Sequence, residues 1–323
     1  MASTETRRVA IACQGGGSHT AFTAGVLSGV IRHSPADYDV TALSGTSGGA
    51  VCAMLAWQGL RRSDPEAALA SLSGFWEDIS AETVLERGLN AGLVFANRFT
   101  DEFGSVAVSP YYNPASDFGR AYLRRLLDRY VDIEQSVTAG ESPDLYISAV
   151  DVLSGQFTVF ENGDGGLDAV VASATIPNIY EATEIDGDYY WDGLFAQNPP
   201  IRHFTAADDP DEKPDEIWLV RINPRRTRTV PRSMNEILDR RNELAGNLSL
   251  EQELHTVGVI NRFIANDVIT DDRYKRIDVR EVTLDWDLDY HSKLDRDPAL
   301  IDDLFEYGRE RASELWTPPR ERD

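Results

Sequence analysis

Lysine is almost absent from this sequence of 323 residues. Only Lys213, Lys275 and Lys293 are present, and the other basic residues are arginines. Asp and Glu number 54 against 31 Lys and Arg, which gives a formal net charge of −23. A surface this acidic repels phosphate backbones and anionic lipid, which argues against a nucleic-acid-binding protein. Many acids with few lysines are typical of proteins that work in molar salt, so we expect a halophilic archaeal source. The alternative is an ordinary solvated surface that stays soluble through its charge.

Cysteines and long apolar runs are also scarce. The two cysteines, Cys13 and Cys52, lie in apolar stretches, which favours buried thiols over a disulfide. No His/Cys cluster has zinc-site spacing. No stretch approaches the ~20 apolar residues of a transmembrane helix, and the first apolar run is too short for a signal peptide. These absences predict a cytoplasmic protein without a transmembrane segment.

Two apolar strands lead the argument for the fold. "VAIAC" (Val9–Cys13) and "VTALSG" (Val40–Gly45) are each followed by glycines and then by a helical pattern. Strand, turn and helix in repetition are typical of an α/β fold, a mainly parallel sheet covered by helices. Hydrophobic residues make up 42% of the chain, which is enough to form a substantial core. We therefore expect one domain over residues 1–323, with a catalytic core at about 8–224 and a helical C-terminal part at about 232–316. Further helices are predicted at Ser18–Ile31, Pro65–Ile79, Ala81–Ala96, Asp117–Tyr130, Met234–Asn266 and Asp297–Leu315, and further strands at Leu145–Val150, Phe157–Phe160, Tyr189–Trp191, Ile217–Ile222 and within Tyr274–Leu284.

A serine stands between close-set glycines directly after the second strand. Gly45, Thr46, Ser47, Gly48 and Gly49 match G-x-S-x-G, with a strand before the motif and a helix after it. A sharp strand-to-helix turn lifts a serine hydroxyl out of the sheet edge, as a nucleophile requires. The helix N-terminus behind the serine also supplies free N–H groups and a positive dipole end. A tight turn without any chemistry fits the same pattern.

Three consecutive glycines follow the first strand. Gly15, Gly16 and Gly17 in "CQGGGSHTAF" would expose a row of backbone N–H groups that can hold an oxyanion. The rival interpretation is a phosphate or dinucleotide loop, but G-x-G-x-x-G from Gly15 would need glycine where Thr20 stands, and no G-K-[ST] is present. His19 faces the site or serves in packing.

An aspartate follows the aromatic strand of "DYYWDGLFAQNPP". Asp192 precedes Gly193, so its carboxylate should lie at the end of a strand. A serine nucleophile needs a base within hydrogen-bonding reach, and the five histidines occupy less convincing positions. A turn-forming Asp-Gly pair is the alternative.

The three motifs in this order resemble those of the patatin-like acyl hydrolases. "ASATIP" (Ala172–Pro177) is similar to a stretch that this family has upstream of its aspartate. The resemblance runs from about Val9 to Pro200, and "NELAGNLSLEQEL" (Asn242–Leu254) is similar to a C-terminal helix of bacterial and archaeal members. It implies a three-layer α/β/α fold with the nucleophile turn after the second strand.

The resemblance also implies a catalytic dyad rather than a triad. Ser47 would be the nucleophile and Asp192 the base, and Gly15, Gly16 and Gly17 would form the oxyanion hole. The reaction would need no metal or organic cofactor. Two positions depart from the family pattern: Leu194 follows Asp192-Gly193 where the family has glycine or alanine, and Thr20 stands in place of the usual glycine after the triplet. These changes would affect packing beside the base and the width of the oxyanion loop.

The substrate that the resemblance implies is an ester, either of an acyl lipid or of a polyester. Haloarchaeal patatin-like polyhydroxyalkanoate depolymerases are the members that the chain most resembles, and they favour an intracellular polyester granule as substrate. "LNAGLVFANRF" (Leu89–Phe99) would dock on such a granule or belong to the core. Phospholipase A activity is the first alternative, and a non-catalytic granule- or lipid-binding protein is the second. A third is an α/β-hydrolase that pairs Ser47 with His255 or His291.

Overall fold

The fold is centred on one eight-stranded sheet. The computed structural model describes residues 6–81, 109–112, 115–227, 229–288 and 290–317. The strands are β1 Arg7–Cys13, β2 Tyr38–Gly45, β3 Asp144–Asp151, β4 Phe157–Glu161, β5 Thr183–Ile185, β6 Asp188–Asp192, β7 Glu216–Arg221 and β8 Asp278–Thr283. Their spatial order is β5-β6-β3-β2-β1-β7-β8, and β4 pairs with β3 outside this order. β3, β2, β1, β7 and β8 are parallel, whereas β4 and β6 run antiparallel to β3 and β5 runs antiparallel to β6.

Helices cover both faces of this sheet. In the described residues they are α1 Ala21–His33, α2 Gly48–Arg61, α3 Pro65–Ile79, α4 Ala115–Tyr130, α5 Ile133–Ala139, α6 Gly166–Ser173, α7 Met234–Ala265 and α8 Pro298–Arg311. Successive strand residues point to opposite faces. Ile11 of β1 lies in the larger core cluster with α1, α2, α3, α4 and α8, and Ala12 lies in a second cluster with Leu250 and Val257 of α7. The result is the three-layer α/β/α arrangement.

Local sequence signals explain where several helices begin. The Asp64 side chain accepts a hydrogen bond from the Ala67 N–H, and proline occupies the first position of α3. α7 begins with a capping box, in which Ser233 and Glu236 satisfy each other's backbone N–H groups. These caps make the starts of α3 and α7 readable from the sequence.

The structure confirms most of the predicted elements. The predicted strands and the helix Pro65–Ile79 are present, and Met234–Ala265 is one unbroken helix. The predicted Ser18–Ile31 helix begins as a short 3-10 turn, Gly17–Thr20, before α1. Missed elements include α5, α6 and β5. The predicted helix Ala81–Ala96, apart from its first residue, and the stretch Leu89–Phe99 lie outside the described residues.

The pairing of β3 brings the end of β2 and the end of β6 together. β4 occupies one edge of β3 from Tyr146 to Val150, so β2 and β6 must share the other edge. On that edge Gly45 pairs with Ile147, and Asp192 pairs with Ala149, two residues further along. Because β6 runs antiparallel to β3, its last residue is the one that meets the end of β2. The G-x-S-x-G turn and the Asp-Gly turn therefore meet above one strand.

Two predictions about apolar segments can be compared with this fold. Cys13 and Cys52 are both buried and both free, as predicted. Burial raises the pKa of each thiol, to about 12 for Cys52, so neither is a candidate nucleophile. In the parts of the chain given above, no helix is both long enough and apolar enough to cross a membrane.

Candidate active site

Ser47 occupies a sharp turn between β2 and α2. Its φ of 55° and ψ of −127° lie in a region that non-glycine residues rarely adopt, and such strain is characteristic of nucleophile turns. Gly49 permits the turn because a β-carbon there would lie 2.2 Å from the Cys13 carbonyl oxygen. Thr46 fixes the other side, because its hydroxyl lies 2.7 Å from both the Ser148 hydroxyl and the Gln197 carbonyl oxygen. The turn thus holds Ser47 at the carboxyl edge of the sheet.

Asp192 lies beside Ser47 with its side chain almost fully buried. The Asp192 carboxylate accepts a 2.8 Å hydrogen bond from the Leu194 N–H and interacts with the Ser47 hydroxyl. Burial raises the pKa of Asp192 from 3.8 to about 7, and the Leu194 N–H, the Ser47 hydroxyl and the charge of Lys293 only partly oppose that rise. The Gly193 backbone packs closely on β3, where a β-carbon would lie 2.3 Å from the Ser148 hydroxyl. A carboxyl group with this pKa is a much stronger base than an exposed aspartate.

The glycine triplet lies against the same turn. A β-carbon at Gly15 would be 3.0 Å from the Ser47 β-carbon, so the loop passes directly beside the serine. The Gly15 N–H donates a 2.7 Å hydrogen bond to the Asn198 side chain. None of the described residues accepts a hydrogen bond from the N–H of Gly16 or Gly17. Of the three predicted oxyanion donors, only these two have an N–H that is not already engaged.

Gly17 and Thr20 shape the far end of this loop. Gly17 has φ +58°, and a β-carbon there would lie 2.2 Å from the Lys293 carbonyl oxygen, so glycine is required. The Thr20 hydroxyl donates a 2.6 Å hydrogen bond to the Gly17 carbonyl oxygen. Thr20 also fills the space in front of Gly48, where a β-carbon would lie 2.2 Å from its hydroxyl. The threonine therefore closes the loop onto the serine turn.

"ASATIP" connects the serine with the aspartate. The Ser173 hydroxyl accepts a 2.9 Å hydrogen bond from the Ser47 N–H. Two residues later, the Thr175 carbonyl oxygen accepts a 2.9 Å hydrogen bond from the Asp192 N–H. One segment thus holds the backbone of both residues, a role that the motif alone did not indicate.

The family model for patatin-like phospholipases matches residues 11–205. That range covers more than half of the chain and contains the glycine triplet, Ser47 and Asp192. The chain belongs to the patatin-like phospholipase family. This match does not test the resemblance to polyhydroxyalkanoate depolymerases, which stays a prediction.

Two solved structures are similar to this patatin-like chain. The crystal structure of VipD from Legionella pneumophila is 10% identical, with a TM-score of 0.42, and the similarity covers 96% of this chain and 66% of VipD. The type III effector ExoU is 13% identical, with a TM-score of 0.36, and the similarity covers 95% of this chain and 52% of ExoU. The chain thus spans between half and two thirds of the length of these neighbours. No curated protein sequence matches it.

Helix α7 lies beyond the family match and supports the patatin-like site from behind. The Asn198 side chain, which holds the Gly15 N–H, donates a 2.9 Å hydrogen bond to the Gly246 carbonyl oxygen. The Glu253 carboxylate accepts hydrogen bonds from the Gln197 side chain at 2.6 Å and the Ile201 N–H at 2.7 Å. This partly buried network fixes the segment that follows Asp192. "NPP" and "NELAGNLSLEQEL" were visible in the sequence, but their contact was not.

The described histidines do not supply an alternative base. His33 and His255 are exposed on α1 and α7. His203 lies 3.6 Å from Glu161 and contacts the Tyr146 ring, and neither residue belongs to the site. The ring of His19 lies 2.7 Å from the Ser292 hydroxyl, and burial, with a smaller effect of Lys293, lowers its pKa to about 3. The side chain of His291 lies outside the described residues.

A large cleft opens on the other side of the glycine loop. Its volume is about 1140 Å³, and its wall includes His19, Asn223 and Lys293. Neither Ser47 nor Asp192 lines this cleft, so it is separate from the candidate site. Lys293 joins the two regions, because its ammonium group donates a 2.6 Å hydrogen bond to Asn223 and its charge lowers the pKa of Asp192. In the described residues, no group of three or more His, Cys, Asp or Glu side chains is arranged to hold a metal ion.

Proposed function

We propose that this chain hydrolyses acyl esters of lipids through a Ser47–Asp192 dyad. The observation that carries the proposal is the strained turn that holds Ser47 beside the buried carboxyl group of Asp192, whose pKa the Ser47 hydroxyl lowers. The neighbouring N–H groups of Gly16 and Gly17 support it as donors to an oxyanion. Nucleophile, base and anion donors are the three parts that acyl transfer needs.

In the first half of the reaction, the Ser47 oxygen attacks the ester carbonyl carbon and its proton moves to Asp192. The carbonyl oxygen becomes an oxyanion and receives hydrogen bonds from Gly16 and Gly17. When the tetrahedral intermediate collapses, the C–O bond to the alcohol breaks and the alcohol takes the proton from Asp192. In the second half, Asp192 accepts a proton from water as the water attacks the acyl-enzyme. The bond between the acyl carbon and the Ser47 oxygen then breaks, the Ser47 oxygen takes the proton from Asp192, and the carboxylic acid is released.

The raised pKa of Asp192 is what makes a dyad sufficient. An aspartate of ordinary pKa is a weak base, and esterases with a triad use an imidazole instead. With a pKa of about 7, Asp192 is partly ionised at neutral pH and accepts a proton far more readily. The N-terminus of α2, which begins directly after Ser47, adds a positive dipole end at the site.

The family match makes acyl lipids the first substrate class in this proposal. The polyhydroxyalkanoate granule rests on the sequence resemblance alone and is the second substrate class to test. The same reaction steps apply to both, because each is a carboxylic ester.

The test is the turnover of three esters: a soluble p-nitrophenyl ester, phospholipid vesicles and native polyhydroxybutyrate granules. Ser47→Ala should reduce lipid hydrolysis to background. Ser73→Ala is the matched control, because Ser73 is exposed on α3 and its replacement should leave turnover unchanged. Hydrolysis of granules but not of lipids would move the substrate class to polyesters. If the wild-type chain turned over none of the three, it would be a binding protein and the proposal would be wrong.

A further inference from the structure

One of the three lysines of the chain lies at the candidate active site. Lys213 and Lys275 lie together beside the start of β7, where the Lys275 ammonium group pairs with Asp215 at 2.6 Å. Lys293 lies instead in a 3-10 turn, Tyr290–Leu294, that packs against the end of the glycine loop. This turn is outside the range 11–205 that the family model matches. The motifs around the serine and the aspartate therefore do not indicate it.

Lys293 holds the glycine loop through its backbone and through its side chain. Its carbonyl oxygen lies against Gly17, where a β-carbon would be 2.2 Å away. Its ammonium group donates a 2.6 Å hydrogen bond to the side-chain oxygen of Asn223, whose side-chain nitrogen donates a 3.2 Å hydrogen bond to the Gly15 carbonyl oxygen. Asn223 is buried, so this link is shielded from water. Lys293 thus fixes the loop on either side of Gly16.

The same side chain brings a positive charge to the dyad. Of the charged side chains that the structure describes, Lys293 is the one that lowers the pKa of Asp192. His19 is the titratable group next to it in the loop. Burial, and to a smaller extent the charge of Lys293, lowers the pKa of His19 to about 3, so the imidazole is neutral at neutral pH. The positive charge beside the loop is therefore that of the lysine and not of the histidine.

The other charged side chains around the large cleft mostly neutralise one another. Ion pairs join Arg221 and Arg225 to Glu251 and Glu281, Arg240 to Glu243, and Arg311 to Asp285. Arg226 and Asp287 are exposed to water, which screens their charges. These groups leave Lys293 as the cation that acts on the dyad.

We propose that Lys293 is the counter-charge of the dyad and a positioning residue of the glycine loop. The negative charge of the reaction is on the Asp192 carboxylate before Ser47 attacks and on the oxyanion afterwards, so the site carries one negative charge throughout. A buried charge is costly unless an opposite charge offsets it. Lys293 stabilises the carboxylate through its charge and the oxyanion through the loop that it holds. This proposal rests on the proposed function, which makes Asp192 the base.

The pH profile of Lys293→Met tests the charge. Methionine keeps an unbranched side chain and removes the ammonium group. Without the opposite charge, Asp192 should ionise at higher pH, so the inflection of kcat/KM for the soluble p-nitrophenyl ester should move up from near 7 by about one pH unit. The plateau should also fall, by less than the ~10²-fold that loss of an oxyanion donor costs. Lys293→Arg keeps the charge and should return the inflection to the wild-type pH.

Lys275→Met is the matched control. It changes the net charge of the chain by the same amount, but its ammonium group pairs with Asp215 away from the site, so the inflection should not move. An unchanged inflection in Lys293→Met, or equal shifts in the two methionine variants, would overturn the proposal. If circular dichroism shows Lys293→Met to be unfolded, Lys293→Gln, which keeps a donor for Asn223 without the charge, is measured in its place and is judged by the same outcomes.

Urea unfolding separates this proposal from the proposed function, because it needs no turnover. With a pKa of Asp192 about one unit higher, the unfolding equilibrium constant of Lys293→Met should increase about fivefold more than that of the wild type between pH 5 and pH 8. In the Asp192→Asn background, the same substitution should add no pH dependence. These results without ester turnover would refute the dyad and not the charge pairing. Ester turnover that needs Asp192, with no such difference in unfolding, would refute the role of Lys293 alone.

Discussion

Asp192→Asn should increase stability while it removes activity. In the folded protein, burial raises the pKa of this carboxyl group from 3.8 to about 7. Above pH 3.8 the unfolded chain loses the proton while the folded chain still holds it, so the folded state becomes less stable as the pH rises towards 7. Above pH 7 both states are ionised, and the accumulated cost to the folded state is about 4 kcal/mol. Asparagine cannot ionise and avoids this cost.

The pH dependence of unfolding isolates that effect. From the two pKa values, the cost of ionising Asp192 grows by about 2.5 kcal/mol between pH 5 and pH 8. Urea unfolding of the wild type and Asp192→Asn at both pH values, in the same salt, should show the variant gaining that much relative stability at the higher pH. All other titrating groups are common to the two proteins and cancel in the difference. A stability difference that does not change with pH would refute the assignment of a raised pKa to Asp192.

The same variant should lose at least about 10²-fold in kcat, because asparagine cannot accept the Ser47 proton. The chain would then carry an unfavourable ionisation at the position that catalysis needs. His255→Ala is a suitable control and should turn over ester within a few-fold of the wild type. Normal turnover by Asp192→Asn would contradict the dyad, whatever the unfolding data show.

Three other predictions concern the base, the oxyanion loop and the acidic surface. Because only the ionised carboxylate accepts a proton, kcat/KM should rise about tenfold per pH unit below an apparent pKa near 7 and then level off; a flat profile from pH 5 to 8 would exclude Asp192 as the base. Gly17→Ala should lower kcat by about 10²-fold, because a β-carbon at its positive φ displaces an oxyanion donor. Gly155→Ala is the control and should lower stability alone, because Gly155 has φ +71° and nothing lies within 4 Å of the added β-carbon. Equal kcat losses in the two glycine variants would contradict the role of the loop. With a net charge of −23 the protein should melt at higher temperature as salt increases to molar concentrations, and a melting temperature independent of salt in circular dichroism would rule out the halophilic interpretation.

Sequence patterns predicted the parts of this site whose geometry is local. A strand followed by G-x-S-x-G and a helix fixes the Ser47 turn within a few residues. The glycines of the motif are required because backbone atoms pack closely around the turn. The Asp-Gly pair likewise marks the end of β6. The sequence indicated the chemical groups, and the resemblance of their order to the patatin-like motifs linked them.

Contacts between distant segments could not be predicted in this way. Asp192 lies beside Ser47 only because β6 pairs with the part of the β3 edge that β2 leaves free. That pairing consists of three residue pairs. The Gly15 N–H is taken by Asn198, more than 180 residues later, so a glycine triplet alone does not reveal which N–H groups are available.

Labelling with a fluorophosphonate tests the central claim most directly. The reagent forms a covalent adduct with an activated serine, and peptide mass spectrometry locates it. The dyad predicts an adduct on Ser47 in the wild type, a labelling rate that rises with pH through about 7, much slower labelling of Asp192→Asn and unchanged labelling of His255→Ala and His291→Ala. An adduct on another serine, or labelling that a histidine substitution abolishes and Asp192→Asn does not, would contradict it.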